Sequence, residues 1–100
     1  MHVYVIKGFE RFHRKERISK KVLVEAIDRA ISGLIDADLG GGLVKQRVAR
    51  PGQGKRSGYR AIIADQSGNR AVFLFGFAKN AKDNIAPDDL AHWRRFAGSH

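Results

Sequence analysis

Cysteine is absent from the 100-residue sequence. Its absence excludes disulfide bonds, thiolate metal ligands and cysteine nucleophiles, and it is typical of proteins that remain in a reducing compartment. The sequence also lacks an apolar run near the ~18 residues that a membrane-spanning helix requires. We therefore expect a cytoplasmic protein that makes no use of a membrane.

Acidic residues are few, and they are unevenly placed. The chain has 19 lysines and arginines against 10 aspartates and glutamates, which gives a formal net charge of +9. No acid occurs between Leu39 and Ala64. The basic residues of that segment are Lys45, Arg47, Arg50, Lys55, Arg56 and Arg60. This polarised charge favours a phosphate backbone as the partner, through counterion release and Arg–phosphate hydrogen bonds, and the alternative is a generic solubility surface.

The apolar spacing predicts one α+β domain over residues 1–100, with elements in the order β-α-α-β-β-β-α. Ser19 can cap a helix that begins at Lys20 and continues for about five turns, up to the glycines at 40–42. The other predicted elements are strands at 3–6, 43–50, 59–64 and 70–77, a short helix at 9–16 and a last helix from Pro87. Residues 70–77 are apolar on both faces, which predicts a central strand covered from both sides. We expect a small, mainly antiparallel sheet with helices packed on it.

The glycine-rich segment Pro51–Gly58 predicts a loop. It does not fit a nucleotide-binding loop, because Ala49 stands where the first glycine is required and Arg56 where Ser or Thr is required. We interpret it as a basic loop that contacts phosphates; the alternative is a plain connection between two strands.

Neither a metal site nor a cofactor is expected. The four histidines are not paired at ligand spacing. Asp36 and Asp38 could be imagined as a carboxylate pair, but two residues apart they do not share a helical face. We interpret them as a polar turn at the end of the long helix.

Arg60 occupies the middle of the sheet region. Tyr59 and Ala61 share one face of their predicted strand, and Arg60 shares the other face with Ile62. An arginine at such a position is unusual unless it faces a cleft or a partner. The alternative is an edge arginine paired with Asp65 or another acid.

Four segments together resemble the HigB-like branch of the RelE/ParE toxins of type II toxin–antitoxin systems. They are residues 34–42 (LIDADLGGG), 47–55 (RVARPGQGK), 58–60 (GYR) and 73–80 (FLFGFAKN). The joint pattern is specific, and the resemblance extends over nearly the whole chain.

The resemblance implies a RelE-like fold, a ribosome-dependent endoribonuclease that cuts mRNA, and an antitoxin partner, often a helix-turn-helix protein of the HigA type. Arg60 matches the arginine that RelE-type toxins place beside the scissile phosphate. Lys79 lies after the last strand, where the family has basic catalytic residues, and Lys55 matches the basic loop. RelE itself has an arginine where this chain has Asn80, and a tyrosine near the position of Ile85.

We therefore expect cleavage without a metal ion, in which the 2′-hydroxyl of the RNA attacks the adjacent phosphate. The residues expected to carry catalysis are Arg60, Lys79 and Lys82. The residues expected to dock the ribosome and its RNA are Lys45, Arg47, Arg50, Lys55 and Arg56. Two alternatives stay open: a ParE-like toxin that poisons DNA gyrase, because the fold is shared, and a non-enzymatic nucleic-acid-binding module.

Overall fold

A computed structural model describes residues 2–49, 58–66, 70–78, 91, 92 and 95. The elements in chain order are β1 (His2–Val5), α1 (Lys7–Lys15), α2 (Lys20–Ile31), β2 (Ala37–Gly40), β3 (Leu43–Val48), β4 (Tyr59–Gln66) and β5 (Arg70–Ala78). Ala91, His92 and Arg95 are helical as well. They lie in the region of the predicted last helix, whose predicted start at Pro87 is outside the described residues.

The five strands form one mixed sheet in the order β1-β5-β4-β3-β2. β1 pairs with β5 in parallel, and every other neighbouring pair is antiparallel. The parallel pair requires a long crossover connection, and α1 and α2 lie within it. This architecture confirms the predicted α+β class, with a RelE-like, mainly antiparallel sheet and helices packed on it.

The two helices contribute to a core on one face of the sheet. Phe9 of α1 and Leu23 of α2 are buried against Tyr59 and Phe73 of the sheet. The ring centroids of Phe9 and Phe73 are 4.9 Å apart. Burial of each such side chain stabilises the fold by roughly 1.5–3 kcal/mol, so this layer holds the helices in place.

A second apolar cluster lies on the opposite face of the sheet. Its buried members are Leu43, Ile62, Ala64, Val72, Leu74 and Phe77. In β5, Ala71 and Phe73 belong to the first cluster, while Val72 and Leu74 belong to the second. The prediction that this strand is covered on both faces is therefore confirmed.

Ser19 begins α2, as predicted. Its hydroxyl accepts a hydrogen bond from the backbone N–H of Val22 at 3.3 Å, which satisfies one of the donors that a helix leaves free at its N-terminus.

The predicted length of this helix was wrong, because α2 ends at Ile31. Gly33 follows with a φ of 85°, a conformation that stops a right-handed helix. Leu34, expected on the apolar side of the helix, lies beyond it with 64% of its surface exposed. The apolar spacing continued past the point at which the backbone turned.

The glycines at 40–42 form a hairpin turn between β2 and β3 rather than the end of a helix. Their φ angles are 82°, 62° and 83°, values that residues other than glycine rarely adopt. The consequence is an additional strand, β2, which pairs with β3 at the edge of the sheet. The observed order is thus β-α-α-β-β-β-β before the C-terminal helical residues.

Gly76 of β5 supports a testable prediction about the packing of α1. A Cβ on Gly76 would lie 2.5 Å from Cδ2 of Phe12 and 2.9 Å from Cε1 of Phe9. We expect Gly76→Ala to lower the free energy of unfolding by about 1–3 kcal/mol, because these rings are packed in the core and must shift. Gly8→Ala is the matched control: nothing lies within 4 Å of its Cβ, and alanine favours a helix. Urea denaturation of both variants measures the difference, and equal stability of Gly76→Ala and wild type would contradict this packing.

Candidate functional site

β4 is the central strand of the sheet, and its two faces have different roles. Tyr59 and Ala61 belong to the core beneath the helices, and Ile62 and Ala64 belong to the opposite cluster. Arg60 therefore projects from the face opposite the helices, as the alternation predicted.

Tyr59 fixes the beginning of β4 against α1. Its hydroxyl donates a hydrogen bond to Oε1 of Glu16 at 2.9 Å. Its ring meets the ring of Phe12 edge-on, with centroids 5.3 Å apart. These contacts hold the backbone on which Arg60 stands.

Arg60 is buried, with only 6% of its surface exposed. Its Nε donates to Oδ2 of Asp36 at 3.1 Å, and its Nη1 donates to the backbone carbonyl of Tyr59 at 3.3 Å. The expected pairing of this arginine with an acid is confirmed, and the acid is Asp36. The arginine is on the central strand, however, and not at an edge of the sheet. Burial of an unpaired guanidinium would cost a large amount of free energy, and the carboxylate of Asp36 offsets this cost.

Two further cations accompany Arg60. Arg47 of β3 is its direct partner in the antiparallel register, so the two side chains leave the sheet on the same face. Nζ of Lys45, two residues along β3, lies 3.7 Å from Oδ2 of Asp36. Alternation along the predicted strand 43–50 likewise puts Lys45 and Arg47 on one face. Two cations are thus paired with one carboxylate, and a third, Arg47, lies on the same face of the sheet.

The interpretation of Asp36 as a polar turn at a helix end was wrong. Asp36 immediately precedes β2, and its backbone N–H donates to the carbonyl of Lys45 at 2.9 Å. Asp38 does form a local turn, because its Oδ1 accepts from the N–H of Gly40 at 2.9 Å. Treating the three glycines as a hairpin would have placed Asp36 beside Lys45, so the signal was present in the sequence.

A depression of about 260 Å³ lies beside this group. Its lining residues are Arg29, Leu34, Ile35, Asp36, Gln46 and Arg47. A guanidinium nitrogen of Arg29 donates to the carbonyl of Arg47 at 2.6 Å, which joins the end of α2 to β3. The wall of the depression therefore combines cationic and apolar side chains next to Asp36.

The remaining residues expected in the site are outside the described residues. They are Arg50, Lys55, Arg56, Lys79 and Lys82. The structure does fix the residue that precedes Lys79: Ala78 is the partner of Tyr59 in the register of β4 and β5. Ala78 is therefore one register position away from Phe77, the residue that pairs with Arg60.

Within the described ranges, no group of three or more His, Asp or Glu side chains is arranged to hold a metal ion. In the same part of the chain, no helix is long and apolar enough to cross a membrane.

Comparison with protein families supplies the identification. The model of the RelE toxin of the RelE/RelB toxin–antitoxin system matches residues 1–100. The chain belongs to the RelE toxin family. Membership implies an antitoxin partner, and toxins of this family are generally endoribonucleases. No curated protein sequence matches the chain significantly.

Proposed function

We propose that this RelE-family toxin is an endoribonuclease of the HigB-like branch that cuts mRNA on the ribosome and thereby inhibits translation. The observation that carries the proposal is the cationic site, which we define as Lys45, Arg47 and Arg60 with the carboxylate of Asp36. The three basic side chains come from neighbouring strands and share one face of the sheet, and Asp36 pairs with two of them. Such a site suits a phosphodiester, whose transition state gains negative charge.

The proposed chemistry uses a nucleophile that the RNA itself provides. The 2′-hydroxyl oxygen attacks the adjacent phosphorus as its proton is removed. The bond from phosphorus to the 5′-oxygen of the next nucleotide then breaks, and that oxygen takes up a proton. The products are a 2′,3′-cyclic phosphate and a free 5′-hydroxyl, so atoms and charges balance without a cofactor.

Arg60 is proposed to stabilise the phosphate oxygens as charge develops on them. A guanidinium presents two N–H groups in a fixed fork, which matches two oxygens of one phosphate. Because the side chain is largely removed from water, its interaction with a phosphate is weakly screened. Lys79 and Lys82 are proposed to assist proton transfer at the 2′-hydroxyl or at the leaving oxygen, with Lys79 following directly after Ala78 opposite Tyr59.

The ribosome is proposed to supply what the acid–base groups lack. A substrate held in the correct geometry reacts far faster than one that must find it, and the gain is largest when the catalytic groups are modest. Lys45, Arg47, Arg50, Lys55 and Arg56 are proposed to dock this surface on ribosomal RNA in the cytoplasm. Lys45 and Arg47 thus join the docking surface to the cationic site.

The antitoxin is proposed to be a HigA-like helix-turn-helix protein. Acidic or aromatic residues of the antitoxin would cover the cationic site, or its bulk alone would prevent entry to the ribosome. Ile31 and Leu34 support a partner surface close by, since they are 63% and 64% exposed and Leu34 lines the depression beside Asp36.

Primer extension on cellular mRNA, after expression of the chain without its antitoxin, tests the proposed activity. We expect breaks within translated regions, and we expect Arg60→Ala to reduce them about a hundredfold because a charge-stabilising donor is lost. Arg60→Lys should give a level of cleavage between those of wild type and Arg60→Ala, since an ammonium lacks the two-pronged N–H geometry of a guanidinium. Arg11→Ala, which removes an exposed arginine from α1, is the matched control. Because Arg60 is buried, circular dichroism must show that each variant is folded.

The same experiment separates the alternative functions. Intact mRNA with damaged DNA would indicate a gyrase poison, and intact mRNA with intact DNA would indicate a binding module.

Ribosome cosedimentation over a range of salt concentrations tests docking by the basic loop. We expect Lys55→Glu with Arg56→Glu to weaken binding and to reduce the slope of log affinity against log salt by about 1.5, because two phosphate contacts are lost. Lys20→Glu with Lys21→Glu makes the same change in charge at exposed positions of α2. If both double variants bind alike, net charge rather than this loop determines docking.

A further inference from the structure

We propose that Asp36 is a positioning residue of the cleavage reaction: it holds the Arg60 guanidinium by Nε and leaves the terminal nitrogens for the scissile phosphate. This inference rests on the proposed function. It assigns a role to the acid that pairs with Arg60, for which the sequence pattern predicted only a polar turn.

Backbone hydrogen bonds place the main chain of Asp36 without help from the cations. The carbonyl of Leu34 accepts from Nε2 of Gln46 at 2.9 Å, and the N–H of Leu34 donates to the carbonyl of Arg29 at 2.8 Å. The N–H of Asp36 itself is bonded to the carbonyl of Lys45. Gln46 is 2% exposed and also donates to the carbonyl of Ala26. The backbone that carries Asp36 is therefore anchored on both sides of Ile35.

The Arg60 guanidinium has more donors than its contacts within the protein use. A guanidinium has five N–H groups. One is given to Asp36 and one to the carbonyl of Tyr59, which α1 holds in place through Glu16. Among the described residues, Nη2 has no hydrogen-bond partner. The contacts thus restrain the guanidinium, and three of its N–H groups have no partner among the described residues.

The neighbouring charges also act on the Arg60 guanidinium. Arg47 is directly opposite Arg60, and like charges in such a pair repel each other. With Asp36 present, the guanidinium is attracted toward β2 and held against this repulsion. Without it, the side chain would be free to turn away from Arg47, and a displacement of about 1 Å at a reacting centre costs on the order of a hundredfold in rate.

Loss of the carboxylate has two effects of opposite sign, and they separate experimentally. A more positive surface attracts RNA more strongly, which improves or preserves binding. Loss of orientation lowers only the rate of the bound complex. A group that merely screened charge would produce the first effect without the second.

Single-turnover cleavage of mRNA on programmed ribosomes, over a range of toxin concentrations, measures both effects. We expect Asp36→Asn to lower the maximal rate about a hundredfold while the half-saturating toxin concentration stays equal or falls. Asp38→Asn is the matched control, because it removes the same charge two residues away and its amide oxygen can still accept from Gly40. It should cleave at the wild-type rate.

Asp36→Glu keeps the charge and shifts it by one methylene, so we expect it to recover part of the rate lost in Asp36→Asn. It also serves if Asp36→Asn fails to fold: a folded Asp36→Glu with a maximal rate at least several-fold below wild type supports positioning, and an undiminished rate contradicts it. Folded Asp36→Asn that cleaves as fast as wild type, or faster, overturns the inference, since the carboxylate would then be only structural or would block the phosphate.

A measurement without RNA separates this inference from the proposed function. If wild type makes no cuts, the proposed function fails, and nuclear magnetic resonance of the arginine side-chain N–H groups during titration with inorganic phosphate still tests Asp36. We expect phosphate to shift the Arg60 signals of wild type and of Asp38→Asn, and to leave those of Asp36→Asn unshifted or broadened by motion. The same response in all three proteins overturns positioning, whether or not the chain cuts RNA.

Discussion

The ion pair between Arg60 and Asp36 connects the central strand of the sheet to the segment that precedes its edge strand, passing over β3. A buried guanidinium needs an anion, and this requirement ties the position of β2 to that of β4. Around it, Gln46 holds the Leu34 carbonyl and Tyr59 is bonded to Glu16, so helices and hairpin are both fixed relative to Arg60. The contacts that hold these elements together therefore also position the cationic site.

The same constraint explains how so basic a chain can group its charges. Arg47 and Arg60 face each other across a strand pair, where they repel, and Lys45 is close by. A single carboxylate among them lowers this repulsion but leaves the site electropositive. That balance is consistent with the proposed chemistry, in which charge accumulates on phosphate oxygens.

Strand alternation and capping were readable from the sequence, because they depend on neighbouring residues. Ser19 as a cap, the two faces of residues 59–64 and the buried strand ending near Phe77 all followed from local pattern. The end of α2 did not, since Leu34 continued the helical spacing although Gly33 had already turned the chain. Because β2 was not predicted, the pairing of Asp36 with Arg60 was not predicted either. That contact spans 24 residues and depends on the order of the strands. Alternation and the resemblance both indicated Arg60, but neither indicated its partner.

In the proposed reaction the RNA's own 2′-hydroxyl is the nucleophile, and the chain supplies only charge, orientation and proton transfer. This mechanism is tested most directly with an mRNA that carries a single 2′-deoxynucleotide at the mapped cleavage position, loaded on ribosomes beside its all-ribose counterpart. We expect the toxin to cut the all-ribose message, leaving a 2′,3′-cyclic phosphate, and to leave the substituted bond intact. Cleavage of both messages at the same rate would contradict this mechanism.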